Sequence, residues 1–240
     1  MQKEQVKTMK IKQLAVCVAL IATSQLHAST SGVDSSNKKP STPDEAFAYL
    51  KAGNERFASG VGIRRDLLAE ARDTSGGQKP FAAIVSCLDS RTSSEIIFDQ
   101  GLGDIFNARL AGNVVDDDVL GSLEFATKAA GAKLIAVVGH SSCGAVVGAI
   151  DDVKLGHLTG LLERIKPAVE SASTKNKESC TSKNPEFVSE VIERNVKLQM
   201  NQLTEKSPIL SELAANGSIK IVGGVHDLAT GKVRFLADGN

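Results

Sequence analysis

The chain has 240 residues, 42% hydrophobic and 23% charged, enough to bury a full core in one domain of about 200 residues. Its 28 Lys and Arg balance 28 Asp and Glu, and the basic residues form no long cluster. Neither nucleic acid nor an anionic membrane is indicated as a partner, and charge says nothing about substrate.

Within the first thirty residues, "MKIKQLAVCVALIATSQLHAST" from Met9 has a basic start, an apolar core from Leu14 to Ala22 and a polar stretch ending at Ala28. Residues 1–28 are expected to be a signal peptide that exports the protein to the periplasm. The apolar core is far shorter than the roughly 20 residues of a membrane span, so no membrane association is expected once the signal is removed. Its loss takes away four Lys and one Glu and leaves a mildly acidic chain. Residues 29–41, "STSGVDSSNKKPS", read as a flexible linker by composition. Residues 42–240 read as a single domain.

That domain opens with "TPDEAFAYLKAGNERFASG", in which Thr42 caps a helix, Pro43 takes its first position and Glu45 completes a capping box. "FAAIVSC" and "DIFNARL" are short apolar runs of strand type, "DVLGSLEFATKAAG" a helix, and "KLIAVVGH" a third strand, nearly all apolar. After "CGAVVGAI" come helices around 157–173 and 186–205, then strands in "SIKIVGGV" and "KVRFLA". Continuous apolar strands alternating with amphipathic helices predict an α/β fold, a mainly parallel sheet flanked by helices on both faces.

Ligands of such sheets bind beyond the carboxyl ends of the strands. Cys87 closes "FAAIVSC", His140 closes "KLIAVVGH", and Cys143 enters the following helix one turn on. Two thiols and an imidazole suit tetrahedral Zn²⁺, and three protein ligands leave one position open, as catalytic zinc sites do. Two other readings stand beside it. A Cys-His nucleophile pair would leave the second thiol without a task, and the oxidising compartment reached by export permits a Cys87–Cys143 disulfide. Cys180, in the polar stretch "STKNKESCTSKNP", reads as an exposed loop thiol without a role. Asp89 and Arg91 lie two apart in "CLDSR"; an extended backbone there puts both on the side of Cys87.

The motifs "SCLDSRTS", "GLGDIFNARLAGNVV", "GSLEFATKAAGAKLIAVVGHSSCGAVVGA" and "GGVHDLATGKV", in this order and spacing, resemble the β-class carbonic anhydrases from about Thr42 to Phe235. The resemblance implies a β-carbonic-anhydrase-like fold with an N-terminal helical arm. It also implies a homodimer or homotetramer built through swapped N-terminal helices and paired sheets. It makes Cys87, His140 and Cys143 the ligands of one Zn²⁺ per chain, and residues 42–240 the catalytic domain. The activity implied is reversible hydration of CO₂ to bicarbonate and a proton by a zinc-held hydroxide, with Arg91 holding Asp89 and Asp89 orienting the hydroxide. In bicarbonate-inhibited members a Trp, an Arg and a Tyr hold the inhibitory ion; those positions fall at Ile84, Arg109 and His226, and only the arginine is retained. The other subset lines its substrate pocket with a Gln, a Phe and an aromatic residue, which fall at Gln78, Phe106 and Phe125, so the directly active type is expected.

His226 is expected to be satisfied by backbone partners, with a proton shuttle as the functional alternative. Gly112, Gly144, Gly223 and Gly224 are expected to permit tight turns or close backbone approach near the metal. Two rival functions remain at this stage: a carbonyl sulfide or carbon disulfide hydrolase on the same scaffold, and a catalytically silent zinc-binding protein. Retention of Asp89, Arg91 and Gln78 argues against the silent protein.

Overall fold

A computed structural model describes residues 39–172 and 179–236. The expected signal peptide, the linker up to residue 38 and the end of the last predicted strand lie outside the described residues. In chain order the elements are α1 (Pro43–Ala58), α2 (Leu67–Thr74), β1 (Ala82–Ser86), α3 (Ser94–Ile97), β2 (Ile105–Arg109), a 3₁₀ turn (Ala111–Asn113), and α4 (Asp117–Glu124) running into a π-helical turn (Phe125–Ala129). Then come β3 (Leu134–His140), α5 (Gly144–Ile150), α6 (Gly156–Glu163), α7 (Lys166–Ser171), α8 (Pro185–Lys206), α9 (Pro208–Ala215), β4 (Lys220–His226) and β5 (Val233–Phe235). No helix among the described residues is long and apolar enough to cross a membrane.

The five strands form one sheet in the order β2-β1-β3-β4-β5, parallel except for β5, which runs antiparallel to β4. Strands β1 and β3 are buried at every position because both of their faces are covered, which is why their sequences are continuous apolar runs. Alternate residues feed opposite cores. Ala82, Ile84, Leu134, Ala136 and Val138 pack with α1, while Ala83, Val85, Ile135 and Val137 pack with α4, α8 and α9.

The expected capping box is present at α1: the Thr42 hydroxyl accepts from Glu45 N–H and the Glu45 carboxylate accepts from Thr42 N–H. Helix α1 buries Ala46 and Leu50 in the core on one face of the sheet. A Cβ on Gly53 would stand 1.9 Å from the Phe98 carbonyl oxygen, so only glycine allows this approach. Asn54 locks the contact. Its Nδ2 donates to Ile97 O and Gly231 O, both at 2.9 Å, and its Oδ1 accepts from Val233 N–H at 2.8 Å. The end of the expected linker is already bonded here, since Lys39 pairs with Asp104 at 3.0 Å.

Helices α2, α3 and α9 are additions to the sequence reading, and the helix predicted through Gly131 is α-helical only as far as Glu124. The 22-residue α8 buries Val196 and Leu203 in the core beneath the sheet and Val188, Val191 and Ile192 in the cluster that α5, α6 and α7 supply. It comes close because β3 and β4 offer glycines beneath it: a Cβ on Gly139 or on Gly223 would stand 2.8 Å from a Val196 methyl.

Candidate active site and metal centre

The parallel register brings the carboxyl ends of β1 and β3 side by side, with Ser86 opposite Val138. Cys87 leaves β1 one residue after Ser86, His140 is the last residue of β3, and Cys143 is the N-cap residue of α5. The ligand atoms of Cys87, His140 and Cys143 lie within 4.8 Å of one another, and all three residues are buried. Both cysteines are free thiols, so the disulfide reading does not describe this structure.

The donors fit a metal ion. His140 Nδ1 lies 2.9 Å from Ser141 O, and only a protonated Nδ1 can donate there. That tautomer leaves a lone pair on Nε2, which is buried and has no hydrogen-bond partner among the described residues. An unpaired buried nitrogen is unfavourable unless a ligand takes it. The Cys143 S–H donates to the Cys87 sulfur, and backbone N–H groups of Asp89 and Gly112 also face it. These donors pull the Cys87 thiol well below its ordinary value, and the charge on Cys87 together with burial holds the Cys143 thiol up.

Asp89 and Arg91 meet, although not on an extended backbone. The segment turns, with Thr92 N–H donating to Asp89 O at 3.1 Å, and Arg91 folds back so that Nε and Nη2 donate to Asp89 Oδ1 and Oδ2 at 2.9 and 2.8 Å. These bonds keep the Asp89 carboxyl far below the usual carboxylate range. Asp89 Oδ2 lies 3.9 Å from His140 Nε2, so the carboxylate borders the ligand cluster.

The predicted pocket residues are only partly brought together. Phe106 on β2 and Phe125 on the π-helical turn meet edge to face at 6.2 Å and line a cleft of about 540 Å³ with Ala83, Asp117 and Gly121. None of the three candidate ligands lines that cleft. Gln78 is exposed in the loop before β1, at the amino end of the sheet, whereas Cys87 follows the carboxyl end of the same strand.

Two other expectations, for His226 and Cys180, change. His226 is 3% exposed and neither ring nitrogen has a hydrogen-bond partner among the described residues, so no described backbone group satisfies the imidazole. Burial lowers its pKa. Arg109 donates from Nε to Cys87 O at 3.0 Å and from Nη2 to Asp89 O, tying the ligand loop to β2. Cys180 is half-buried against the core around Cys143 rather than an exposed loop thiol. Sequence reasoning missed Thr92, whose hydroxyl donates to Cys87 O and Asp89 O at 3.1 and 3.0 Å. It also missed Asn195 and Gln199, buried amides on α8, whose only signal is two polar residues four apart in an otherwise apolar stripe.

Comparison with known proteins agrees with this geometry. A family model described as carbonic anhydrase matches residues 82–233, more than half of the chain. Carbonic anhydrase 2 of Mycobacterium tuberculosis is 40% identical over 196 residues, covering 79% of this chain and 91% of that protein. The carbonic anhydrase of Mycolicibacterium smegmatis is 37% identical over 201 residues, covering 81% and 94%. Among solved structures, the Coccomyxa β-carbonic anhydrase in complex with acetazolamide has a TM-score of 0.63 at 25% identity, covering 79% of this chain and 83% of that one. One of two tetrameric β-carbonic anhydrases from Sordaria macrospora shares the fold, with a TM-score of 0.61 at 23% identity over 81% of this chain and 98% of that one. A mainly parallel sheet carrying a buried Cys-His-Cys cluster beside an aspartate is thus the frame of a known enzyme family, and this chain belongs to it: it is a β-class carbonic anhydrase.

Proposed function

We propose that the protein hydrates CO₂ reversibly at one Zn²⁺ per chain, held by Cys87, His140 and Cys143. The observation that carries this is the convergence of their ligand atoms within 4.8 Å around an unpartnered His140 Nε2. Zinc bound there would supply a nucleophile at neutral pH by lowering the pKa of water toward about 7.

The chain's own residues do the rest. Asp89 stays ionised, so it can only accept a hydrogen bond, and its place beside the cluster lets it take the O–H of the attacking water and aim the oxygen's lone pair at carbon. Arg91 occupies both carboxylate oxygens from one side and fixes the plane in which Asp89 accepts. Phe106 and Phe125, whose cleft none of the three ligands lines in one chain, would give an apolar wall suited to neutral CO₂ where a second copy brings that cleft to a metal centre, and Gln78 would donate its amide to a CO₂ or bicarbonate oxygen. Within one chain the sheet separates Gln78 from Cys87, so its amide would serve the site of a second copy. A homodimer or homotetramer provides that copy, and the Sordaria relatives are described as tetrameric. Export to the periplasm rests on residues 1–28.

The test is stopped-flow CO₂ hydration at pH 7 and pH 8.5, with zinc content and an Asp89→Ala control. One zinc per chain and fast hydration, lost in the control, supports the proposal. One zinc without hydration overturns it and directs attention to carbonyl sulfide and carbon disulfide.

A further inference from the structure

The apolar stripe of α8 is interrupted by Asn195 and Gln199, which are 1% and 0% exposed. Burying two amides is unfavourable unless every group is paired, and here a directional chain of bonds pairs them. Val115 N–H donates to Gln199 Oε1 at 2.9 Å, Gln199 Nε2 donates to Asn195 Oδ1 at 3.0 Å, and Asn195 Nδ2 donates to Gly112 O at 2.8 Å. The first bond fixes which way the others point: with Gln199 Oε1 taken by the backbone, Nε2 faces Asn195, and Asn195 must present its own NH₂ to Gly112.

Gly112 is a demanding residue to hold. Its φ is +67°, and a Cβ there would lie 2.5 Å from Ile165 Cδ1. Its N–H donates to Cys87 Sγ at 3.3 Å. Leu110 N–H to Ser86 O and Asn113 N–H to Leu110 O steady the turn on either side, but the Gly112 carbonyl is anchored from α8.

We infer that Asn195, oriented by Gln199, is a positioning residue for the metal thiolate: it holds the Ala111–Asn113 turn so that the Gly112 N–H stays on Cys87 Sγ. The inference rests on the proposed zinc site and deepens it. A hydrogen bond to a ligand sulfur withdraws charge from it, so the metal keeps more of its acidity than two unmodified thiolates would leave it, and the ligand is held in place. The bond from α8 to Gly112 thus acts on the reaction from a residue that touches neither substrate nor metal.

The experiment uses the full protein loaded with Zn²⁺ or with Co²⁺, comparing the natural chain, Asn195→Leu and Leu203→Ala. Leu203 is equally buried on α8 but lies two turns away in a purely apolar cluster, so it controls for loosening of the helix. Two quantities are read: the rate at which zinc is lost to a chelator, and the energy of the thiolate-to-cobalt charge-transfer band. Asn195→Leu is expected to speed zinc loss about 10- to 100-fold, the range typical of partners that orient a metal ligand. It should also move the cobalt band to longer wavelength, because a sulfur without its donor gives up charge more easily. Leu203→Ala should leave the band in place. An unmoved band in Asn195→Leu, or the same shift in Leu203→Ala, overturns the inference while leaving the zinc site intact. Failure of the natural chain to bind either metal overturns both. If Asn195→Leu does not fold, Gln199→Met carries the test: a smaller shift in the same direction supports the inference, and no shift overturns it.

Discussion

Arg91 reaches Asp89 through both carboxylate oxygens and also through its own backbone, whose N–H donates to Asp89 Oδ1 at 2.9 Å. Three donors from one residue set the orientation of a carboxylate 3.9 Å from His140 Nε2. Arg91→Ala removes two of the three and lets the carboxyl rotate. It should lower kcat about 100-fold, the scale expected when a catalytic group is misplaced, while zinc content stays unchanged. Stopped-flow hydration and metal analysis check this together.

The same pair sets a sign for acid stability. Arg91 holds the native Asp89 pKa below its unfolded value of about 3.9. Its contribution is therefore complete above about pH 5 and is lost progressively as pH falls through the unfolded value toward the native one. Arg91→Ala should accordingly differ from the natural chain in pH dependence of Tm only below about pH 5, as a series of thermal melts from pH 2 to pH 7 would show. A difference that first appears between pH 5 and pH 7 would contradict the assignment.

Metal loading should depend on pH through Cys143. The charge on Cys87, together with burial, keeps the Cys143 thiol protonated at neutral pH, so an incoming zinc ion must displace one proton, and Cys87 already carries the thiolate. Apparent zinc affinity should rise about tenfold per pH unit between pH 6.5 and 8. Competition with a chromophoric chelator measures it, and a slope near zero would mean that only one thiolate binds.

If Gln78 serves the site of a second copy, two inactive variants should repair one another. Gln78→Ala and Asp89→Ala chains, each deficient alone, would on mixing and re-association form a site with an intact Asp89 from one chain and an intact Gln78 from the other. Hydration should reappear in the mixture, reaching about one quarter of the natural rate for random pairing into dimers. No recovery after verified subunit exchange would place Gln78 outside the site.

Asn54 joins α1 to the end of α3 and to the β4–β5 hairpin through three side-chain bonds in a 5% exposed position. Asn54→Leu leaves two carbonyls and one N–H unpaired in the interior. At about 1–3 kcal/mol for each buried group left unsatisfied, it should be among the more damaging single substitutions outside the active site. Denaturant unfolding of the variant gives the value.

Much of this protein was legible before any coordinates. The runs "FAAIVSC" and "KLIAVVGH" announce strands buried on both faces, since no polar residue interrupts them before their carboxyl ends, and the Thr42 to Glu45 spacing announces a helix start. The chemistry of Cys87, His140 and Cys143 narrows the ion to zinc or a close relative because ligand type is a property of residue identity. Local physics, a two-residue or a four-residue period and the donor set of a side chain, is written in the chain order.

What the tertiary structure decided is where distant residues meet. That Asp89 and Arg91 pair through a turn rather than along an extended strand follows from Thr92 closing that turn onto Cys87 and Asp89. That His226 ends with both nitrogens buried and unpartnered follows from its register opposite His140, at the end of a strand covered by α1. The link from Asn195 to Gly112 spans 83 residues. No sequence period encodes such a contact, which exists because glycines at 139 and 223 let α8 settle onto the sheet.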